Sequence, residues 1–104
     1  MDRITNRTIS VGTSQVQIAS DVLMGQRKFI TVINTSTGSE KITLAFNQDA
    51  VSGQGVVLSS GGSYTDTQDG TGYFPSNTHI QAICDSATGK VAIVERIGAE
   101  KYGN

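Results

Sequence analysis

Short apolar alternations, each cut off by a cluster of Gly, Ser, Asn or Asp, recur along this chain and constrain its fold more than any other feature. Residues 42–46 (ITLAF) place Ile42, Leu44 and Phe46 on one side and Thr43 and Ala45 on the other, and residues 80–84 do the same with Ile80, Ala82 and Cys84. A period of two is the side-chain repeat of a β-strand, and runs this short between turn residues build a sandwich or barrel. Further strands are expected over residues 8–11 and 14–18, on either side of Gly12, and over 27–34, 56–58, 63–67 and 90–96. The predicted fold is therefore all-β, a single jelly-roll-like β-sandwich of about eight strands. Residues 27–34 and 42–46 read as one hairpin turning through Asn34 to Ser39, and residues 79–85 and 90–96 as another turning through SATG. Ser20 or Asp21 can cap one helical turn carrying Val22, Leu23 and Met24, with Gly25 ending it. The expected organisation is a flexible arm over 1–7, the sandwich over 8–97 and a tail over 98–104.

The one-sided strands give a core of Ile42, Leu44, Phe46, Leu58, Ile80, Ala82 and Cys84. Two other strands are apolar on both faces. In RKFITVIN, Phe29 and Ile33 oppose Ile30 and Val32, and in KVAIV, Val91 and Ile93 oppose Ala92 and Val94. A helical turn at 22–24 is too small to shield both, so the second face of one strand or of the other is expected to be covered by another protein chain. The interface candidates are Phe29, Ile30, Val32, Ala92 and Val94, joined by Arg3 and Arg7 on the polar arm.

Composition narrows the function classes. At 104 residues the chain is one domain, able to hide roughly two-thirds of its unfolded surface without a staple. Its single cysteine excludes an internal disulfide, and no Cys/His cluster suggests structural zinc. Eight basic against nine acidic residues leave a net charge of -1, with none of the basic field that binds nucleic acid. No apolar run approaches the ~20 residues of a membrane span, and MDRITNRTIS lacks the apolar stretch of a secretory signal. Charged residues are 16% of the chain, against about 25% in ordinary domains. Ser, Thr and Gly supply about a third, so the surface is neutral and rich in hydroxyls.

Catalytic constellations are absent. His79 and Cys84 have an odd offset, which puts them on opposite faces of one strand, and no G-x-S-x-G elbow occurs. The chain reads as a non-enzyme without cofactor or small-molecule substrate. Asp49, Asp66 and Asp69 lack the spacing of a calcium loop and read as turn carboxylates. Tyr64, Tyr73 and Phe74 can form an aromatic platform for sugar, which motivates the alternative reading of a glycan- or receptor-binding module. The NRT and NTS triplets match glycosylation acceptors but follow no secretory signal.

The segments RKFITVINTS (27–36), ITLAF (42–46), GVVLSSGGSY (55–64) and HIQAICDSATGKVAIVE (79–95) together resemble a pattern of small bacteriophage virion proteins. That resemblance implies a structural component of a phage particle, assembled in the host cytoplasm and located in the virion. It implies a minor capsid protein forming penton vertices or decorating the shell. Its partners would be copies of itself, with a pentamer favoured, and the major capsid protein. A spike or tail module is the alternative.

Overall fold

The computed structural model describes residues 2–98. Eight strands run in chain order: β1 Arg3–Val11, β2 Val16–Ala19, β3 Arg27–Asn34, β4 Ile42–Phe46, β5 Val56–Leu58, β6 Ser63–Thr67, β7 Ile80–Cys84 and β8 Gly89–Ile97. They form two antiparallel sheets of four strands, β1-β8-β3-β6 facing β2-β7-β4-β5. This is the strand order of a jelly roll. The expected all-β sandwich is what the chain adopts, and the described residues contain no helix.

Among the described residues, only β4 and β5 form a true hairpin. The two hairpins expected from sequence are both corrected, because β3 and β4 lie in different sheets, as do β7 and β8. Their short turns cross from one layer to the other. Asn34 shows how the first crossing is held: its Nδ2 donates to the carbonyls of Glu40 and Leu58, both at 2.9 Å, while its Oδ1 accepts from Ser36 N. A fully buried side chain so committed is part of the corner and leaves the NTS triplet without an accessible acceptor.

The 20–26 segment is a turn rather than a helix. Gln26 accepts from Leu23 N through Oε1 at 3.0 Å and donates its own N–H to Leu23 O at 2.9 Å. One isolated helical turn fixes several dihedrals for one hydrogen bond and does not persist without more partners. Residues 3–7, expected as a free arm, are the first half of β1, with Arg3 opposite Ile97 and Arg7 opposite Ile93 on β8. Residues 99–104, most of the expected tail, lie outside the described residues.

The core holds the expected residues: Ile42, Leu44, Leu58, Ile80, Ala82 and Cys84 are buried, with Phe46 packed against them. To these the facing sheet adds Val11, Ile30, Val32, Val91 and Ile93, and β2 adds Ile18. Phe46 meets Tyr64 edge to face, ring centroids 5.3 Å apart.

The outer faces of the two sheets differ. On β4, Thr43 and Ala45, expected to be wet, are 2% and 3% exposed. The loop 47–55 folds back over them. Gly53 N donates to Thr43 Oγ1 at 3.0 Å, Ala50 N donates to Gln15 Oε1 at 2.7 Å, and Ala50 is buried beneath. The return requires Gly55, whose φ is 146° and where a Cβ would stand 2.2 Å from Leu44 O. On the other sheet the outward residues Phe29, Ile33, Ala92 and Val94 are partly exposed.

Candidate functional site

Beyond an irregularity between Arg27 and Phe29, β3 alternates strictly, and neighbours decide which of its two apolar faces turns inward. Ile30, Val32 and Asn34 are buried on the inner face, so Ile30 and Val32 leave the set of interface candidates. Phe29 and Ile33 remain outside, half-buried. The same holds on β8, where Val91 and Ile93 are in the core and Ala92 and Val94 are outside. Register places Ala92 opposite Ile33 and Thr8, and Val94 opposite Thr31 and Asn6. Thr67 and Ser63 stand opposite Phe29 and Ile33 on the far side, and Thr31 shares a 2.7 Å hydroxyl contact with Thr65. The middle of this face is thus an apolar strip bordered by hydroxyls and amides. Charge appears only toward its ends, at Lys90 and at Arg96, whose Nε donates to Asp2 at 2.6 Å.

Glu95 continues the inner row of Val91 and Ile93 and carries a charge into the interior. Arg27 answers it. Its guanidinium is 1% exposed, with Nε 2.7 Å from Glu95 Oε2. Its remaining donors go to backbone carbonyls: Nη2 to Ser20 at 2.8 Å, Nη1 to Thr78 at 3.0 Å and also to Ser76. One planar fork therefore ties the 20–26 turn and the 68–79 loop to the sheets. Arg7 closes the carboxylate from the other side, its Nη2 3.0 Å from Glu95 Oε1 and 2.6 Å from Ile18 O on β2. No buried side-chain polar atom among the described residues lacks a partner. Neither Arg27 nor Glu95 was singled out from sequence. The signal was present in Glu95, since its parity with Val91 and Ile93 demands a buried cation nearby.

Arg3, Thr5, Arg7 and Ile9 share the inner side of β1, and with Gln17, Ile18, Val22, Leu23 and Ile97 they line a groove of about 630 Å³. The groove lies where β1 and β2, the terminal strands of their sheets, face each other without pairing. Both arginines expected at an interface are thus brought to one opening. Among the described residues Arg3 has no carboxylate within ion-pair distance.

The aromatic trio does not form one platform. Tyr64 belongs to the core edge beside Phe46, while Tyr73 and Phe74 are exposed. Lys28 Nζ sits 4.8 Å from the Phe74 ring centroid. Asp66 Oδ2 accepts from the hydroxyls of Tyr73 at 2.6 Å and Tyr64 at 3.3 Å. Burial, then the charge of Asp66, pushes the Tyr64 hydroxyl up to about 12. Free tyrosine ionises near 10, so above that pH the unfolded chain loses a proton that the folded chain keeps. Stability contributed here is complete below pH 10 and lost as pH rises toward 12. The Tyr73 hydroxyl, bonded to the Asp66 carboxylate, is raised as well, so ultraviolet titration should show Tyr64 ionising last, and Tyr64→Phe should remove the step near pH 12; a step near 12 surviving the substitution assigns it elsewhere.

His79 and Cys84 are not hydrogen-bonded to each other. His79 Nδ1 lies 3.3 Å from Asp21 Oδ1, and Cys84 is 2% exposed, its Sγ close enough to Gly89 that a Cβ there would stand 2.6 Å away. Asp69 Oδ1 accepts from Thr71 N at 2.8 Å and Tyr73 N at 3.2 Å, which holds its carboxyl below the ordinary value. Asp49 is bonded to Gln15 at 3.1 Å. No group of three or more His, Cys, Asp or Glu among the described residues is placed to hold a metal. Among the described residues there is no helix long and apolar enough to cross a membrane.

No protein-family model matches the chain, and no curated protein matches it. Among solved structures it is similar to a chain described in the words "Bacillus endospore appendages form a novel family of disulfide-linked pili". The two superpose with a TM-score of 0.60 at 15% identity, over 96% of this chain and 88% of that one, which is a likeness of fold.

Proposed function

We propose that this chain is a structural subunit that assembles with copies of itself through the outer face of the β1-β8-β3-β6 sheet. The observation that carries the reading is the contrast between the two outer faces. The chain lays its own 47–55 loop over Thr43 and Ala45 on one, where Val57 stays exposed, and leaves Phe29, Ile33, Ala92 and Val94 partly exposed on the other with no charge between them. An apolar strip bordered by hydroxyls is what a sheet presents when its cover comes from a second molecule. The fold likeness to a pilus chain supports the same general role, since a pilus is built from repeated subunits.

The disulfide linkage in that description is not carried over. This chain has one cysteine, and Cys84 is enclosed in the core. Assembly would rest on noncovalent contacts. The virion resemblance and the pentameric vertex it implies describe one form of such an assembly, a closed ring. A filament is the other, and heterologous contacts produce either according to whether the rotation closes. Sedimentation velocity on the purified chain, followed by electron microscopy, should show species several times the 10.9 kDa of one copy, as rings or fibres. A monomer at all concentrations that binds a glycan through Tyr73 and Phe74 would replace this reading with the binding-module alternative.

A further inference from the structure

We infer that copies join side by side, the β6 edge of one pairing antiparallel with the β1 edge of the next, with Asp66 received by the arginines of the β1 groove. This rests on the self-assembly reading above and adds to the outer-face contact a second one, edge to edge. Strands β1 and β6 are the two ends of one sheet, and among the described residues each lacks a partner on its outer side. Successive neighbours in the order β1-β8-β3-β6 are antiparallel, so β6 runs opposite to β1. A second copy in the same orientation therefore offers β6 to β1 already in antiparallel sense. Sheet hydrogen bonding then continues from one molecule to the next.

Charge selects this partner over the alternative. Two β1 edges meeting each other would gather four arginines on one inner side with no carboxylate from either edge, which like charges close across a pair disfavour. On β6 the inner residues are Tyr64 and Asp66, and Asp66 is held only by tyrosine hydroxyls among the described residues. Inner positions must pair with inner positions, since a slip of one residue would turn the strand over. The register that places Asp66 opposite Arg7 also places Tyr64 opposite Ile9, Thr65 opposite Thr8, Thr67 opposite Asn6 and Ser63 opposite Ser10. Acid meets base, aromatic meets aliphatic, and the outer residues match hydroxyl or amide with hydroxyl. Every residue of β6 gains a partner of suitable kind. The 630 Å³ groove behind β1 leaves room for the inner side chains of the arriving strand.

Disulfide trapping tests the pairing directly, using exposed Thr8 and Thr65, whose side chains would lie directly across from each other. Under mild oxidation, T8C mixed with T65C should give covalent dimers, the double variant should give a ladder, and neither single variant alone should cross-link. T8C dimers alone would show like edges meeting and overturn the inference. So would a wild-type chain that assembles while the cysteine variants assemble equally well and form no bond; the broader reading of self-assembly would survive that result. If the cysteines themselves weaken assembly, amide exchange on the assembled wild-type chain decides. Backbone amides of residues 6–10 and 63–67 should exchange at least tenfold more slowly than in dilute monomer, and unchanged exchange at both edges rejects the pairing. A wild-type chain that never assembles removes both readings.

Discussion

Replacing Arg27 by alanine is expected to lower the unfolding free energy by about 3–5 kcal/mol, as removal of one partner from a buried ion pair does elsewhere. Against a total of roughly 5–15 kcal/mol for a domain of this size, that brings the chain to the edge of unfolding. Three losses combine. Glu95 keeps its charge in the interior with only the half-exposed Arg7 beside it. The carbonyls of Ser20, Ser76 and Thr78 lose their donor. The 20–26 turn and the 68–79 loop lose the side chain that anchors both. Adding Glu95→Gln to Arg27→Ala should recover part of the loss, because the uncompensated charge is gone while the orphaned carbonyls remain. Urea unfolding measures all three proteins. An Arg27→Ala midpoint equal to that of the wild type would mean that the guanidinium is solvated and the clamp does not exist.

Val94→Glu is expected to leave the monomer folded and to weaken assembly by about 2 kcal/mol or more, the size of an interface hot spot. That corresponds to more than about twentyfold in the association constant. Val94 points away from the core, between Thr31 and Asn6, so a glutamate there meets solvent in the monomer and a desolvated face in the assembly. Ile93→Glu, one residue earlier, should instead unfold the chain, because Ile93 is fully enclosed between the sheets. The pair separates interface from core with the same chemistry. Circular dichroism reports folding and sedimentation reports mass; a Val94→Glu protein that assembles like the wild type would take the outer face out of the contact.

Much of the sandwich was legible from alternation alone. One-sided strands such as 42–46 and 80–84 announce both their existence and their inward face, since a period-two pattern with one apolar phase has a single sensible orientation. Their core residues lie where that phase puts them. In β3 and β8 both phases are apolar, so the pattern specifies a strand without specifying which side turns inward. Tertiary packing breaks that tie: Asn34 must reach Glu40 and Leu58, and Glu95 must reach Arg27, and each brings its own row of neighbours inside. Hence Ile30 and Val32 went to the core while Phe29 and Val94 stayed out.

Connectivity was equally ambiguous. A short polar turn between two strands serves a hairpin or a crossing between layers, and local sequence carries the turn but not the identity of the strand alongside. The groove at β1 and β2, the cover that loop 47–55 lays over β4, and the triad of Arg7, Arg27 and Glu95 all join residues far apart in the chain. The sequence by itself determined the strands, their spacing and the inner residues wherever only one phase is apolar, because those depend on near neighbours. The tertiary structure decided which strands share a sheet, which apolar face is left uncovered and where the two arginines of β1 come together, because each is settled by contacts between distant segments.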